Sequence, residues 1–419
     1  RMAQLGNDCF VPGQELMTTA EALALIDRQI VPVTGAERIA LTAARGRTLA
    51  VDVHAPINVP PHDNAAVDGY AFRHRDLANE GKTRFSLVGR AAAGHPWTGH
   101  VEPGQAVRIF TGAVMPGDLD TVAMQEDCEA DDATVTIPAG LAQGANRRHA
   151  GEDISADTRI LEAGRILKPQ DIGLIASIGQ ASVAVHTPLR VTVFSTGDEV
   201  VNPGRSLPSG AIHDSNRFAL MALLDGMGCQ VRDLGVLPDD RVAIANALDA
   251  SAVDSDLVIT SGGVSVGEED HIRSAVEAHG TLHFWRLAIR PGRPLALGHI
   301  GETAFAGIPG NPVAVMVTFM IFVRPIIQRL AGATATPPRR FPVAAAFSCG
   351  KKVGRREWVR ARLEGTSGEL PAAKRFERDG AGILTSLVDS DGLIELGEDV
   401  AEVSQGDVVP FLPFSEVLP

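Results

Sequence analysis

The sequence predicts a multidomain chain in which an α/β domain with a parallel sheet is joined to smaller β-rich units. Two observations carry this. At 419 residues the chain exceeds the span of one ordinary core, at roughly 100–200 residues per domain. From Leu189 onward, β-branched apolar runs alternate with helix-length segments, the pattern of a parallel sheet covered on both faces.

In chain order, Thr18-Thr19-Ala20-Glu21 forms a capping box, with Leu23, Ile26 and Ile30 following on one helical face. Val33 to Ala50 continues in the same style and ends near Asp52. From Asn58 to Arg148 the character changes to Gly, Pro and short β-rich pieces (RFSLVG, QAVRIF, TVAMQ, ATVTI). Arg165 to Val185 returns to a mixed pattern, so the β-rich module reads as an insertion into the first domain. The expected boundaries are 17–57 with 149–186 for a discontinuous α+β domain, 58–148 for the inserted module, 187–332 for the α/β domain and 333–419 for the last.

Within the α/β domain, LRVTVFSTG is a strand closing on Gly197. A helix from Asn216 to Met227 ends at Gly228, the expected glycine after a helix. VRDLGVL is strand-like, and Asp239 or Asp240 caps the helix that follows. DLVITSGG is the next strand, EEDHIRSAVEAHG the next helix. AFAGIPG then leads into a helix with Pro312 in its first turn. After the linker-like ATATPP, short alternating strands without a convincing helix read as a C-terminal β barrel or sandwich.

Composition narrows the function. Hydrophobic residues make up 45% and charged residues 21%, the balance of a soluble globular protein. A formal charge of −13 argues against nucleic-acid binding, which needs a surplus of Lys and Arg. The run Val313 to Val323 is short of the roughly 20 residues of a membrane span and reads as a buried helix. Cys9, Cys128, Cys229 and Cys349 are too scattered for a zinc or redox motif. The opening RMAQLGNDCF lacks the apolar core of a secretory signal. A cytoplasmic protein without a membrane partner is expected.

Three strand ends carry loops that suit an anion. They are Ser195-Thr196-Gly197-Asp198-Glu199, the run from Ser261-Gly262-Gly263 through Ser265 and Gly267 to Asp270, and Pro309-Gly310-Asn311-Pro312. In open α/β sheets the ligand crevice lies beyond the carboxyl ends of the strands. Glycine lets backbone N–H groups approach an anion, and a helix start adds its dipole. Carboxylates beside such a site call for a cation between them, hence Mg²⁺ held by Asp198, Glu199, Asp239 or Asp270. Arg286 and Arg290, four residues apart, share one face if the segment is a strand, with Arg293 close behind. In the inserted module, Asp68 lies in a turn-rich segment with Tyr70, the chain's only tyrosine, and Thr111 offers a hydroxyl at a turn. Asn146-Arg147-Arg148 beside Gly151-Glu152-Asp153 fits a surface ion network or a second anion contact. There is no case for a Ser-His-Asp triad: no Gly-x-Ser-x-Gly elbow follows a strand at the right place, and His62 and His74 read as loop histidines.

At these residues the chain resembles the MoeA family. PPHDNAAVDGYA, RIFTGAVMPGDLDTVAMQE, RRHAGEDI, VFSTGDEV, IHDSNRFAL, TSGGVSVGEED, FWRLAIRPGRPLALG and GIPGNPVAV stand in that family's order and spacing. The pattern also marks the E domain of gephyrin and its plant relatives. It runs from Met17 to Gly332 and continues more weakly to the end. The resemblance implies an elongated homodimer of four-domain subunits, with an α/β domain like that of the MogA adenylyltransferase. It implies adenylylated molybdopterin and molybdate as substrates, cleavage of the pyrophosphate bond as molybdate is inserted, release of AMP, and Mg²⁺ as cofactor. It further implies a MogA-type adenylyltransferase and acceptor molybdoenzymes or their chaperones as partners. Carried over by position, Asp68, Thr111, Glu199, Asp239, Asp270, Pro309 and Pro312 match residues tied to activity. Arg286 and Arg290 stand where lysines are common, and Ala381 where some members have serine.

Overall fold

The computed structural model describes residues 16–262, 271–365 and 370–419. The first helix, Thr19–Gln29, starts where the local signal places it. The Thr18 side chain accepts from the Glu21 N–H, and the Glu21 carboxylate accepts from the Thr18 N–H at 2.8 Å. Its apolar face buries Ala22 and Ile26.

Val33 to Ala50 forms no α-helix and has only the single 3-10 turn Leu41–Ala43. Ala36–Ala40 is a strand, antiparallel to Ser182–His186 from Ala36 opposite His186 to Ala40 opposite Ser182. A partner some 140 residues away decides this segment, and local spacing carries no trace of it. The residues between these strands include a six-stranded sheet. Its order is Thr121–Met124, Gly69–Phe72, Gln105–Ile109, Lys82–Ala91, Thr134–Pro138 and Glu129–Ala130. Phe72 and Phe85 are fully buried in it.

The α/β domain has a six-stranded sheet in the order Gln230–Leu237, Arg190–Thr196, Leu257–Ser261, Thr303–Ile308, Pro294–Ile300, Gly280–Arg286. The first four strands are parallel, and Pro294–Ile300 runs antiparallel to both of its neighbours, so the sheet is mixed. The cause is local: only Gly301 and Glu302 separate Pro294–Ile300 from Thr303–Ile308, and Gly301 takes a φ of 56°. So short a connection returns the chain antiparallel, since a parallel crossover needs a dozen or more residues.

Both faces are covered. Val191, Val193, Leu257 and Ile259 pack with Leu220 and Leu224 of the helix Asn216–Gly226 and with the long helix Pro312–Leu330. Phe194 and Val258, on the alternate face, pack with Ile244 and Leu248 of Arg241–Asp254 and Ile272 of His271–His279. Asp240, not Asp239, caps Arg241–Asp254 by accepting from the Ala243 N–H at 2.8 Å.

Pro312–Leu330 is long and apolar enough to cross a membrane, but it is mostly buried inside the protein. It widens into a π segment at Phe319–Val323, just ahead of Pro325. Proline there removes one donor and crowds the carbonyl four residues back, which a wider turn relieves.

The C-terminal strands close a barrel. Arg356–Glu364 pairs with Ala372–Arg375, which leads through Phe341–Ala345, Val408–Pro413 and Gly392–Leu396 back to Arg356–Glu364. One helical turn, Thr385–Val388, interrupts the strands. Val343, Ala361, Ala373, Ile394 and Phe411 fill the interior.

Candidate active site

The parallel register brings the predicted loops to one end of the sheet: Ser195 lies opposite Ser261, and Ser261 opposite Ile308. The Gly262 N–H donates to the Ile308 carbonyl at 3.1 Å. A Cβ on Gly310 would stand 3.6 Å from the Gly262 Cα, and Gly262 itself has a φ of +90°. The backbone conformation requires glycine at 262, whereas a side chain at 310 would make only ordinary contact.

Ser195, Thr196 and Ser261 are strand residues and buried, so the loops begin at Gly197 and Gly262. The Ser195 Oγ is buried without a hydrogen-bond partner among the described residues. The positive φ of Gly197 turns the chain so that Glu199 folds back, with its Oε2 2.6 Å from where a Gly197 Cβ would be. Asp198, Glu199 and Asp239 are exposed. Gly263, Ser265, Gly267 and Asp270 lie outside the described residues. Among the described residues no three His, Cys, Asp or Glu side chains form a ready-made metal cage.

A cleft of about 550 Å³ opens between these loops and the barrel. Gly262, Pro309, Gly310 and Asn311 line one wall, Arg360, Arg375, Asp379 and Gly380 the other, with Arg290 and Arg293 between them. Ser195, Thr196, Gly197, Ser261, Pro312, Asp198, Glu199, Asp239 and Arg286 do not line it.

Arg286 and Arg290 do not share a strand face. Arg286 ends Gly280–Arg286, whereas Ile289–Arg290 pairs in parallel with Arg356 and Glu357 of the barrel. The break lies at Leu287 and Ala288, whose N–H groups donate to the Arg293 carbonyl at 2.9 Å and the Met17 carbonyl at 2.7 Å instead of continuing the sheet ladder. The helix starts at Pro312 as expected, but its first N–H groups are not free for an anion: Pro312 has none, and the Val313 N–H donates to the Ala381 carbonyl at 2.9 Å. Ala381 thus serves through its backbone, by capping a helix of the neighbouring domain.

Four arginines line the cleft against two carboxylates, Glu357 and Asp379. Glu357 is shared between Arg290 at 3.4 Å and Arg355 at 2.7 Å. Arg375 pairs with Asp379 and holds its carboxyl below the usual range. Arg360 is buried, 8% exposed, and among the described residues forms no direct ion pair, Asp379 acting on it only from beyond ion-pair distance. It donates to the Ser386 Oγ at 3.0 Å and the Gly380 carbonyl at 3.3 Å, and burial pulls its pKa down. A buried cation held by neutral acceptors is a ready seat for an anion.

Sequence reasoning missed Arg360 and Arg375. The signal lay in Arg356–Glu364, where Arg360 shares a face with Trp358, and that face packs against the α/β domain.

Asp68 and Thr111 are brought together, but elsewhere. The Thr111 N–H and Oγ1 donate to Asp68 Oδ1 at 2.8 and 2.7 Å, and the backbone bond above all holds the carboxyl below its ordinary range. Beside them Arg108 lies 4.8 Å from the Tyr70 ring centroid. Arg147 is engaged by Asp63 across the short ladder of Asn64–Ala65 with Arg147–Arg148. None of these residues lines the cleft, whose lining falls wholly between Gly262 and Leu396.

The chain matches three family descriptions in order. They are the MoeA N-terminal region (domain I and II) over residues 17–179, a probable molybdopterin binding domain over 192–329, and the MoeA C-terminal region (domain IV) over 342–414. It is 38% identical over 405 residues to the molybdopterin molybdenumtransferase of Haemophilus influenzae, covering 96% of this chain and 100% of that one. The chain belongs to the MoeA family. A molybdopterin molybdenumtransferase from Nostoc is 35% identical over 330 residues, 77% of this chain and 76% of the relative. The crystal structure of the MoeA protein from Pyrococcus horikoshii OT3 superposes with a TM-score of 0.82 at 27% identity, covering 95% of this chain and 100% of that one. In this MoeA-family chain the cleft lies between the segment that matches the molybdopterin binding description and the segment that matches domain IV.

Proposed function

We propose that this cleft inserts molybdenum from molybdate into adenylylated molybdopterin, cleaving the pyrophosphate bond and releasing AMP. The observation that carries the reading is the arginine-lined wall facing the glycine turns, with Arg360 buried and, among the described residues, in no direct ion pair. Molybdate is a tetrahedral oxyanion, and planar guanidinium groups bond such oxygens two at a time. Cleaving a phosphoanhydride asks for positioning and charge neutralisation more than for a strong nucleophile. Arg290, Arg293 and Arg360 offset charge on molybdate and phosphate oxygens, while Gly262 and Gly310 let backbone approach the pterin phosphate.

Mg²⁺ fits the carboxylate loops in the manner usual for that ion, by one or two carboxylates completed by substrate phosphate and water. Asp198, Glu199, Asp239 and Asp270 are the residues that would hold it, and their oxygens are the hard donors it prefers. Bound there, Mg²⁺ supplies Lewis-acid neutralisation of phosphate charge.

The working unit is a homodimer with a shared cleft. Asp68 and Thr111 line no part of the cleft of their own chain, so the reading brings them from the other subunit. Cys128, Cys229 and Cys349 are unpaired, which suits a reducing cytoplasm. A MogA-type adenylyltransferase would supply the substrate, and acceptor molybdoenzymes or their chaperones would take the product.

The test is AMP release from adenylylated molybdopterin by the purified protein. Release is expected to require molybdate and to stop in excess EDTA, resuming when Mg²⁺ is restored. AMP release at the same rate without molybdate would reject the transfer reading, and full activity in EDTA would reject the metal.

A further inference from the structure

The segment Ile212–Leu220 (IHDSNRFAL) belongs to none of the loops above, yet its side chains reach two of them and the strand that leads to Asp239. Arg217, in the first turn of the helix Asn216–Gly226, is 2% exposed. Its Nε donates to Asp214 Oδ2 at 2.9 Å, and its two terminal nitrogens donate to Asp233 and to the side-chain oxygen of Asn202. Asp214 belongs to the same segment, whereas Asn202 and Asp233 belong to two different pieces of the crevice. Asn202 ends the excursion that starts at Gly197 and carries Asp198 and Glu199. That excursion is tied down again where the Asp214 N–H donates to the Val201 carbonyl at 2.9 Å and the Ile212 N–H to the Glu199 carbonyl at 2.7 Å. Asp233 sits where the register between Arg190–Thr196 and Gln230–Leu237 shifts, on the strand that leads to Asp239. Its other oxygen accepts from the Gly235 N–H at 2.7 Å. The third piece is held by Asn216, whose Nδ2 donates to the Gly310 carbonyl at 2.6 Å.

We infer that Asn216 and Arg217 are positioning residues that lock the Asp198–Glu199 loop, the approach to Asp239 and the Gly310 turn into one arrangement. Stability alone does not call for this design. A buried guanidinium with its carboxylates can often be replaced by apolar packing at no loss. What apolar packing cannot do is fix three separate segments by directional bonds. Asn216 adds a single bond at a half-exposed site, worth little to folding, yet it acts on the turn that meets Gly262.

The inference rests on the crevice being where transfer takes place, so its test pairs turnover with a readout that needs no substrate. Asn216→Ala, Arg217→Lys and Arg217→Met are compared with wild type for melting temperature, molybdate affinity, kcat and KM, and amide hydrogen exchange. Asn216→Ala should melt as wild type does and bind molybdate equally, since the arginine wall is untouched. Its kcat should fall by about 10- to 100-fold, the scale of a small misplacement of reacting groups. Exchange should quicken at residues 309–311. Arg217→Lys should retain more turnover than Arg217→Met, with faster exchange at 197–203 in both. Wild-type kcat and exchange in Asn216→Ala would overturn the inference, even if Arg217→Met fails to fold. Quickened exchange in a protein whose wild type performs no molybdate-dependent turnover would leave the positioning role standing and reject the functional reading.

Discussion

Arg360→Met should abolish most molybdate-dependent turnover while leaving the protein as stable as wild type, or more so. Arg360 is a buried cation in no direct ion pair among the described residues, held by the Ser386 hydroxyl and the Gly380 carbonyl. Removing it relieves the cost of keeping that charge from water, and a methionine of similar length fills the space. The Ser386 hydroxyl is not orphaned, because it also donates to the Ile383 carbonyl at 2.6 Å. Activity moves the other way. Loss of a charged contact that strengthens in the transition state costs about 10²- to 10³-fold in kcat. Thermal melting and steady-state AMP release on the same preparation check both halves. A variant that melts early and loses activity in proportion would make Arg360 a structural residue only.

Mixing Asp68→Ala subunits with Arg360→Met subunits should restore activity that neither has alone. Random exchange makes about half of the dimers mixed. If Asp68 serves the cleft of the other chain, each mixed dimer holds one intact cleft and one doubly damaged cleft. Recovery should then reach roughly a quarter of the wild-type rate. If both residues served one chain's cleft, every cleft would carry a lesion. A mixture that demonstrably exchanges subunits and stays inactive would rule out the shared cleft.

Parts of this account were legible in the sequence because their causes are local. The Thr18–Glu21 capping box, the glycine after the helix Asn216–Gly226 and the glycine turns after Ser261 and Ile308 each depend on a few neighbouring residues. Where the deciding partner was distant, the reading failed or ran out. The strand Ala36–Ala40 exists because Ser182–His186 pairs with it, and Ile289–Arg290 leaves the α/β sheet because the barrel's Arg356 and Glu357 receive it. For the same reason Arg290 and Arg286 could not be separated by spacing alone. Arg360 and Arg375 were invisible as site residues because the cleft exists only once the barrel docks beyond the strand ends. The Val313–Ala381 cap likewise joins two domains, and no side chain at position 381 announces it.

The most direct measurement is the location of bound molybdate, read from anomalous scattering at the molybdenum edge in crystals soaked with the anion. One principal peak per chain is expected inside the cleft, with oxygens within hydrogen-bond reach of Arg360 and of Arg290 or Arg293, and it should be lost in Arg360→Met. A principal peak outside the cleft, or one that persists unchanged in Arg360→Met, would contradict the proposed function.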